Sequence, residues 1–88
     1  METRVAVIGI IVENTEVTSR INEILSEYGD YIIGRMGIPY RERGINIISI
    51  AIDAPQNVIS AASGKLGRLE GVTAKTAYSN CIFTEEQY

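Results

Sequence analysis

The 88-residue chain has no histidine and no tryptophan, a single cysteine and two prolines. Without histidine there is no imidazole base, no Ser-His-Asp or Cys-His arrangement and no histidine-ligated metal. The one cysteine, Cys81, cannot form an internal disulfide, and it leaves a transition metal with almost no donors inside one chain. Such cysteine usage suits a reducing cytoplasm. No apolar run reaches the ~18 residues of a membrane-spanning helix. The apolar stretch at 5–12 follows Glu2 and the lone Arg4, unlike a signal peptide. Carboxylate pairs are present but unpromising for acid/base work: Glu13 and Glu16 sit at a helix start, Glu23 and Glu27 on a solvated helix face, and Glu85 and Glu86 in a polar tail. The expectation is a cytoplasmic protein that is not an enzyme and holds no cofactor.

What is present is a β-branched, 45% apolar chain with a net charge of −3. The charge is uneven: residues 31–75 carry six basic side chains against three acidic ones, and the remainder two against eight. An acidic domain without a broad basic face is a poor direct binder of nucleic acid. The length supports one domain, residues 1–88, small enough that association would add to its stability.

The clearest pattern lies at residues 31–53. Five isoleucines at 45, 47, 48, 50 and 52 suit a strand in the middle of a sheet, and a second strand precedes it. Between the two, Pro39 is expected to end the ladder and Gly44 to take a positive φ. The first strand is RVAVIGIIV, residues 4–12, with Val5, Val7 and Ile11 on one face and Ala6, Ile8, Ile10 and Val12 on the other. Gly9 in its middle suggests close approach by a backbone or a ligand. Asn14 and Thr15 start a helix whose apolar stripe is Val17, Ile21, Ile24, Leu25 and Tyr28, with Gly29 as its stop. A second helix opens at Ala54-Pro55 and buries Val58, Ile59, Ala62, Leu66 and Leu69, its last turn loosened by Gly64 and Gly67. Gly71 turns into a last strand at 72–78, and residues 80–88 read as a frayed tail.

The order β-α-β-β-α-β predicts an α+β domain, a four-stranded antiparallel sheet with both helices on one face. Its strands are apolar on both faces, so the open face is expected to be a homo-oligomer interface, dimer or tetramer. Three groups are candidate ligand contacts. Arg35, Gly37 and Arg41 lie around the hairpin, with Arg35 and Gly37 on one strand face, where a guanidinium beside exposed backbone suits a carboxylate or phosphate. For the arginines around the hairpin, Arg35, Arg41 and Arg43, the plainer alternatives are an ion pair between subunits with Glu42 or Asp53, or protection of an edge strand. Gly64 and Lys65 lie in Ser63-Gly64-Lys65-Leu66-Gly67, which lacks phosphate-loop spacing and reads first as helix packing. Asn14 and Thr15 mark the first helix's start. Cys81 reads as a small hydrophobe ahead of a redox or ligand role.

Gly34-Arg35-Met36-Gly37-Ile38-Pro39-Tyr40-Arg41-Glu42, followed by residues 63–72 and Lys75-Thr76, resembles the iron-only hydrogenase system regulator family over about residues 4–79. The resemblance implies a ferredoxin-like, ACT-like fold, similar to the C-terminal sensing domain of the nickel-responsive regulator. It also implies a cytoplasmic, oligomeric, ligand-sensing or regulatory protein tied to hydrogenase assembly or expression. The nickel regulator's histidine ligands have no counterpart here, so nickel is not carried over. Nor is its ribbon-helix-helix DNA-binding domain expected, since the first strand begins near Arg4. Where amino-acid-binding ACT domains usually have a Pro-Gly turn, this chain has Asn14-Thr15-Glu16-Val17. The reading is a module that senses a small effector, and the alternative is an adaptor for a regulatory or maturation protein.

Overall fold

A computed structural model describes residues 2–84; the side chain of Cys81 and the carboxylates of Glu85 and Glu86 lie outside the described residues. The elements are β1 (Glu2–Val12), α1 (Thr18–Glu27), β2 (Ile32–Tyr40), β3 (Ile45–Ala54), α2 (Gln56–Gly67) and β4 (Val72–Thr84), with 3-10 turns at Thr15–Val17, Gly29–Tyr31 and Arg41–Arg43. The sheet order is β2-β3-β1-β4 and each neighbouring pair is antiparallel. This is the α+β, ferredoxin-like arrangement expected from the alternation of strand and helix patterns.

Strand alternation decides where the core sits. In β1, Ala6, Ile8, Ile10 and Val12 are buried, and in β3 Ile48, Ile50, Ile52 and Ala54 are buried on the same face. Against this face pack Ile21, Ile24 and Leu25 of α1 and Ile59, Ala62 and Leu66 of α2, so both helices cover one side of the sheet. Each fully buried Ile or Leu contributes about 2 kcal/mol of transfer free energy. No charged or polar residue is buried within that core among the described residues.

Several boundaries differ from the sequence reading. Pro39 does not end the ladder: it pairs with Asn46 and the register continues to Tyr40↔Ile45. Because β2 is an edge strand, its proline costs no ladder bond when the missing N–H faces outward. Gly44 does take the left-handed conformation, at φ 64°, and closes the 3-10 turn by donating to the Arg41 carbonyl at 3.2 Å. Gly29 is not a left-handed cap; Tyr28 leaves the helix and its carbonyl accepts from Tyr31 N at 3.0 Å, so a 3-10 turn ends α1. Helix α2 runs unbroken to Gly67, and its carbonyl at Gly64 accepts from Arg68 N at 3.2 Å.

The largest difference is at the end of β4, which continues to Thr84 where the sequence suggested a tail from residue 80. A register irregularity between Arg4 and Ala6 of β1 accommodates extra β4 residues, after which Arg4↔Ile82, Thr3↔Phe83 and Glu2↔Thr84 pair. Arg4 fastens this end: its guanidinium donates to the Ser79 carbonyl at 2.8 Å and to Gln56 Oε1 at 3.2 Å, and lies 4.7 Å over the Tyr78 ring.

Candidate functional site

The sequence candidates fall in separate places. At the start of α1, Asn14 Oδ1 accepts from Glu16 N at 3.1 Å and caps the first turn, while the Thr15 carbonyl accepts from Thr18 Oγ1 at 2.8 Å. Asn14 is also a packing partner of Gly71. That glycine has φ 74°, and a Cβ built on it would lie 2.7 Å from Asn14 Cβ. Glu13 N donates to the Gly71 carbonyl at 2.7 Å. Asn14 therefore serves the β4 turn and the helix start together.

On α2, Lys65 Nζ reaches Glu27 Oε2 of α1 at 2.9 Å and sits 5.2 Å from the Tyr28 ring centroid. The hydrogen bond from Lys65 lowers the Glu27 pKa, and the bonds from Lys65 to Glu27 and Tyr28 raise that of Lys65. Both groups are exposed, so this pair ties the helices together weakly. A Cβ on Gly64 would meet only Arg68 Nη2, at an ordinary 3.7 Å. Among the described residues nothing crowds a side chain at that position. Arg41 is exposed in the 3-10 turn of the hairpin.

Arg35 and Gly37 are brought together with other groups. Their register partners are Ile50 and Ile48, buried residues of β3, so both lie on the helix-side face of the sheet. Arg35 Nη2 donates to Asn22 Oδ1 of α1 at 2.8 Å, which sets the guanidinium across the gap between helix and edge strand. Neither Glu42 nor Asp53 of the same chain is its partner in a salt bridge. The gap is a groove of about 270 Å³ lined by Thr18, Arg35, Gly37, Pro39, Asn46 and Ile48, and bordered by Ile38 and Ile47. A Cβ on Gly37 would meet nothing within 4 Å, so the missing side chain keeps the groove open. The sequence placed Arg35 and Gly37 on one face; Asn22, Thr18 and Asn46 were missed, because only the packing of α1 over the hairpin brings them near.

The opposite sheet face is uncovered among the described residues. Register places three rows across it: Gly34–Ala51–Val7–Ala77, Met36–Ser49–Gly9–Lys75 and Ile38–Ile47–Ile11–Thr73. Of these twelve positions only Lys75 is charged. Val7, Ile11, Met36, Ile38 and Ile47 are between 38% and 60% exposed. Gly9 lies in the central row, and a Cβ there would stand 3.9 Å from the Lys75 carbonyl, ordinary contact. Beside the rows, a shallow depression of about 710 Å³ is lined by Glu13, Tyr40, Glu42, Arg43 and Ile45 near the hairpin turn. Its mixed charges mark the rim of the apolar face.

Among the described residues no three His, Cys, Asp or Glu side chains are grouped so as to hold a metal ion. No helix among them is long and apolar enough to cross a membrane.

Three comparisons bear on identity. The chain is similar to the uncharacterized protein TM1266 from Thermotoga maritima, whose solved structure superposes with a TM-score of 0.83 at 32% identity, over 86% of this chain and 96% of that one. A formyltetrahydrofolate deformylase from Pseudomonas putida KT2440 matches with a TM-score of 0.65 at 12% identity, over 88% of this chain and 29% of the enzyme, a likeness of fold alone. No curated protein matches. A family model described as "TM1266-like: Iron-only hydrogenase system regulator, putative" matches residues 4–76, the span that holds both helices, the Arg35 groove and nearly all of the uncovered face. With most of its length inside that match, the chain belongs to the TM1266-like family of iron-only hydrogenase system regulators.

Proposed function

We propose that this chain is a non-catalytic regulatory module of the iron-only hydrogenase system that self-associates through its uncovered sheet face and responds to a small effector. The observation that carries the reading is the uncovered face itself. An antiparallel sheet covered on one side normally turns a polar face to water. Here three successive rows present isoleucine, valine and methionine around a lane of glycine, serine and alanine.

The occupant we assign to this face is a second copy of the chain. Four strands about 4.8 Å apart and nine β1–β3 pairs at about 3.4 Å per residue give a face of roughly 600 Å². That approaches the ~800 Å² each partner contributes to a standard interface. The face carries two charges of opposite sign, Lys75 in its central row and Asp53 beside Val5, so it can meet its own copy by a two-fold rotation with little like-charge repulsion. Regulation then follows from mass action: an effector with higher affinity for one assembly shifts the population towards it. The family's description as a regulator supports this role ahead of catalysis.

Native mass spectrometry of the purified chain tests the proposal, since one spectrum reports assembly mass and retained small molecules. A dimer or tetramer is the expected result. A monomer at micromolar concentration would overturn self-association and leave the face to a partner of different sequence.

A further inference from the structure

We infer that the groove between α1 and the edge strand β2 binds a short-chain monocarboxylate, held by Arg35. The inference rests on the effector-responsive reading above and names the class of effector. Of the eight residues lining the groove, Arg35 alone is charged. A guanidinium carries five N–H donors in a planar fork, and the hydrogen bond to Asn22 occupies one edge group while fixing its position. A carboxylate matches that fork and neutralises a single charge. Thr18 and Asn46 add neutral polar groups to the lining.

The other walls select the body of the ligand. Pro39 and Ile48 are its apolar side chains, and Ile38 and Ile47, whose side chains face the other side of the sheet, border it without adding charge; such a wall favours an aliphatic chain and gives nothing to a compact hydrated phosphate. An amino acid would bring an ammonium group, and no acidic residue lines the groove to receive it. At about 270 Å³, the space equals roughly nine waters at ~30 Å³ each, room for a branched acid of few carbons. Small-molecule sites share this composition, mostly apolar with a few convergent polar groups.

Position supplies the route to regulation. Every residue of β2 after Ile32 is exposed, and the Arg35–Asn22 hydrogen bond is its side-chain tie to α1 among the described residues. A carboxylate bridging Arg35 and the first turn of α1 would fix β2 against the helix. The same strand presents Met36 and Ile38 on its other side, within the rows of the uncovered face. Occupancy of the groove therefore stiffens one flank of the association surface.

The test is a residue-resolved NMR titration with isovalerate, alongside valine, inorganic phosphate and 3-methylbutan-1-ol. Isovalerate is expected to give saturable shifts centred on Thr18, residues 35–39 and residues 46–48. The three comparators should bind about 10-fold more weakly or worse, and Arg35→Gln should weaken isovalerate by about 10-fold or more while leaving β4 resonances in place. Shifts that never saturate, that phosphate or valine reproduces at equal concentration, or that survive Arg35→Gln would overturn the assignment. The groove lies within one chain, so repeating the titration on Ile11→Asp, altered only on the opposite face, separates the two readings. An intact oligomer without isovalerate binding sinks the groove alone, and binding by a monomeric wild type sinks self-association alone.

Discussion

The two faces of this sheet are made of similar residues and meet different surroundings. On the helix side the rows are Arg35–Ile50–Ile8–Thr76 and Gly37–Ile48–Ile10–Ala74, and their central residues are 6% exposed or less. On the other side Ile38, Ile47 and Ile11 occupy one row, with 38% to 51% exposure. Among the described residues both helices pack on the first face and the second is left uncovered. Apolarity in a strand therefore reports two different demands, intrachain packing and association, which strand position and helix placement separate.

β2 extends the same contrast. It is the edge strand, joined to α1 by the Arg35–Asn22 hydrogen bond and exposed from Ile33 onward, yet it carries Ile33, Met36 and Ile38 at 51% to 63% exposure. An edge with that much exposed aliphatic surface is a liability in a monomer. In an assembly it is a contact.

Truncating the covered face should have the largest effect. Ile50→Ala removes a fully buried side chain between the helices and β1, and a loss of about 2–5 kcal/mol is expected in urea unfolding, independent of protein concentration. Ile11→Asp probes the uncovered face. It should weaken association about 100-fold, near 2.7 kcal/mol, with an unchanged far-ultraviolet circular dichroism spectrum, read by sedimentation equilibrium. If Ile11→Asp instead unfolded the chain at every concentration, the two faces would not differ as argued.

Smaller effects sharpen the contrast by leaving both faces alone. Asn14→Ala removes the cap on Glu16 N and should cost about 1 kcal/mol in the same urea experiment without altering assembly mass. Lys65→Gln should be the mildest, because the Glu27 pair is exposed. Its pH dependence is defined in sign. The Glu27 pKa is lowered from 4.5, so its contribution is present above that value and fades as pH falls below it; the Lys65 pKa is raised from 10.5, so its share fades as pH rises beyond. The small stability difference between wild type and Lys65→Gln should therefore be flat through neutrality and vanish in acid, as thermal melts across pH would show.

Most of the fold could be read from residue pattern, because it depends on local periodicity. The alternation in β1, the isoleucines of β3, the stripe of α1 and the positive φ at Gly44 are all short-range signals. The continuation of β4 past Tyr78 was hidden, since its partners Glu2, Thr3 and Arg4 lie at the other end of the chain and the irregularity opposite Ala6 breaks simple alternation. Pro39 was misread for a similar reason: whether a proline ends a strand depends on its being at an edge, and strand order is a tertiary fact.

The candidate site was legible only in part. Arg35 and Gly37 share a face through two-residue spacing, which sequence shows directly. Asn22 and Asn46 join them only when α1 and β3 are in place, and Lys65 finds Glu27 across 38 residues of chain. Asn14 stood out as a cap, while its fit against Gly71 depends on where β4 begins.

Sedimentation equilibrium of the wild-type chain beside Ile47→Asp tests the central claim most directly. The account predicts a wild-type mass of two or four 88-residue chains at micromolar concentration, and a single folded chain for the variant. A wild type that sediments as one chain, with Ile11, Ile38 and Ile47 still facing water, would contradict it.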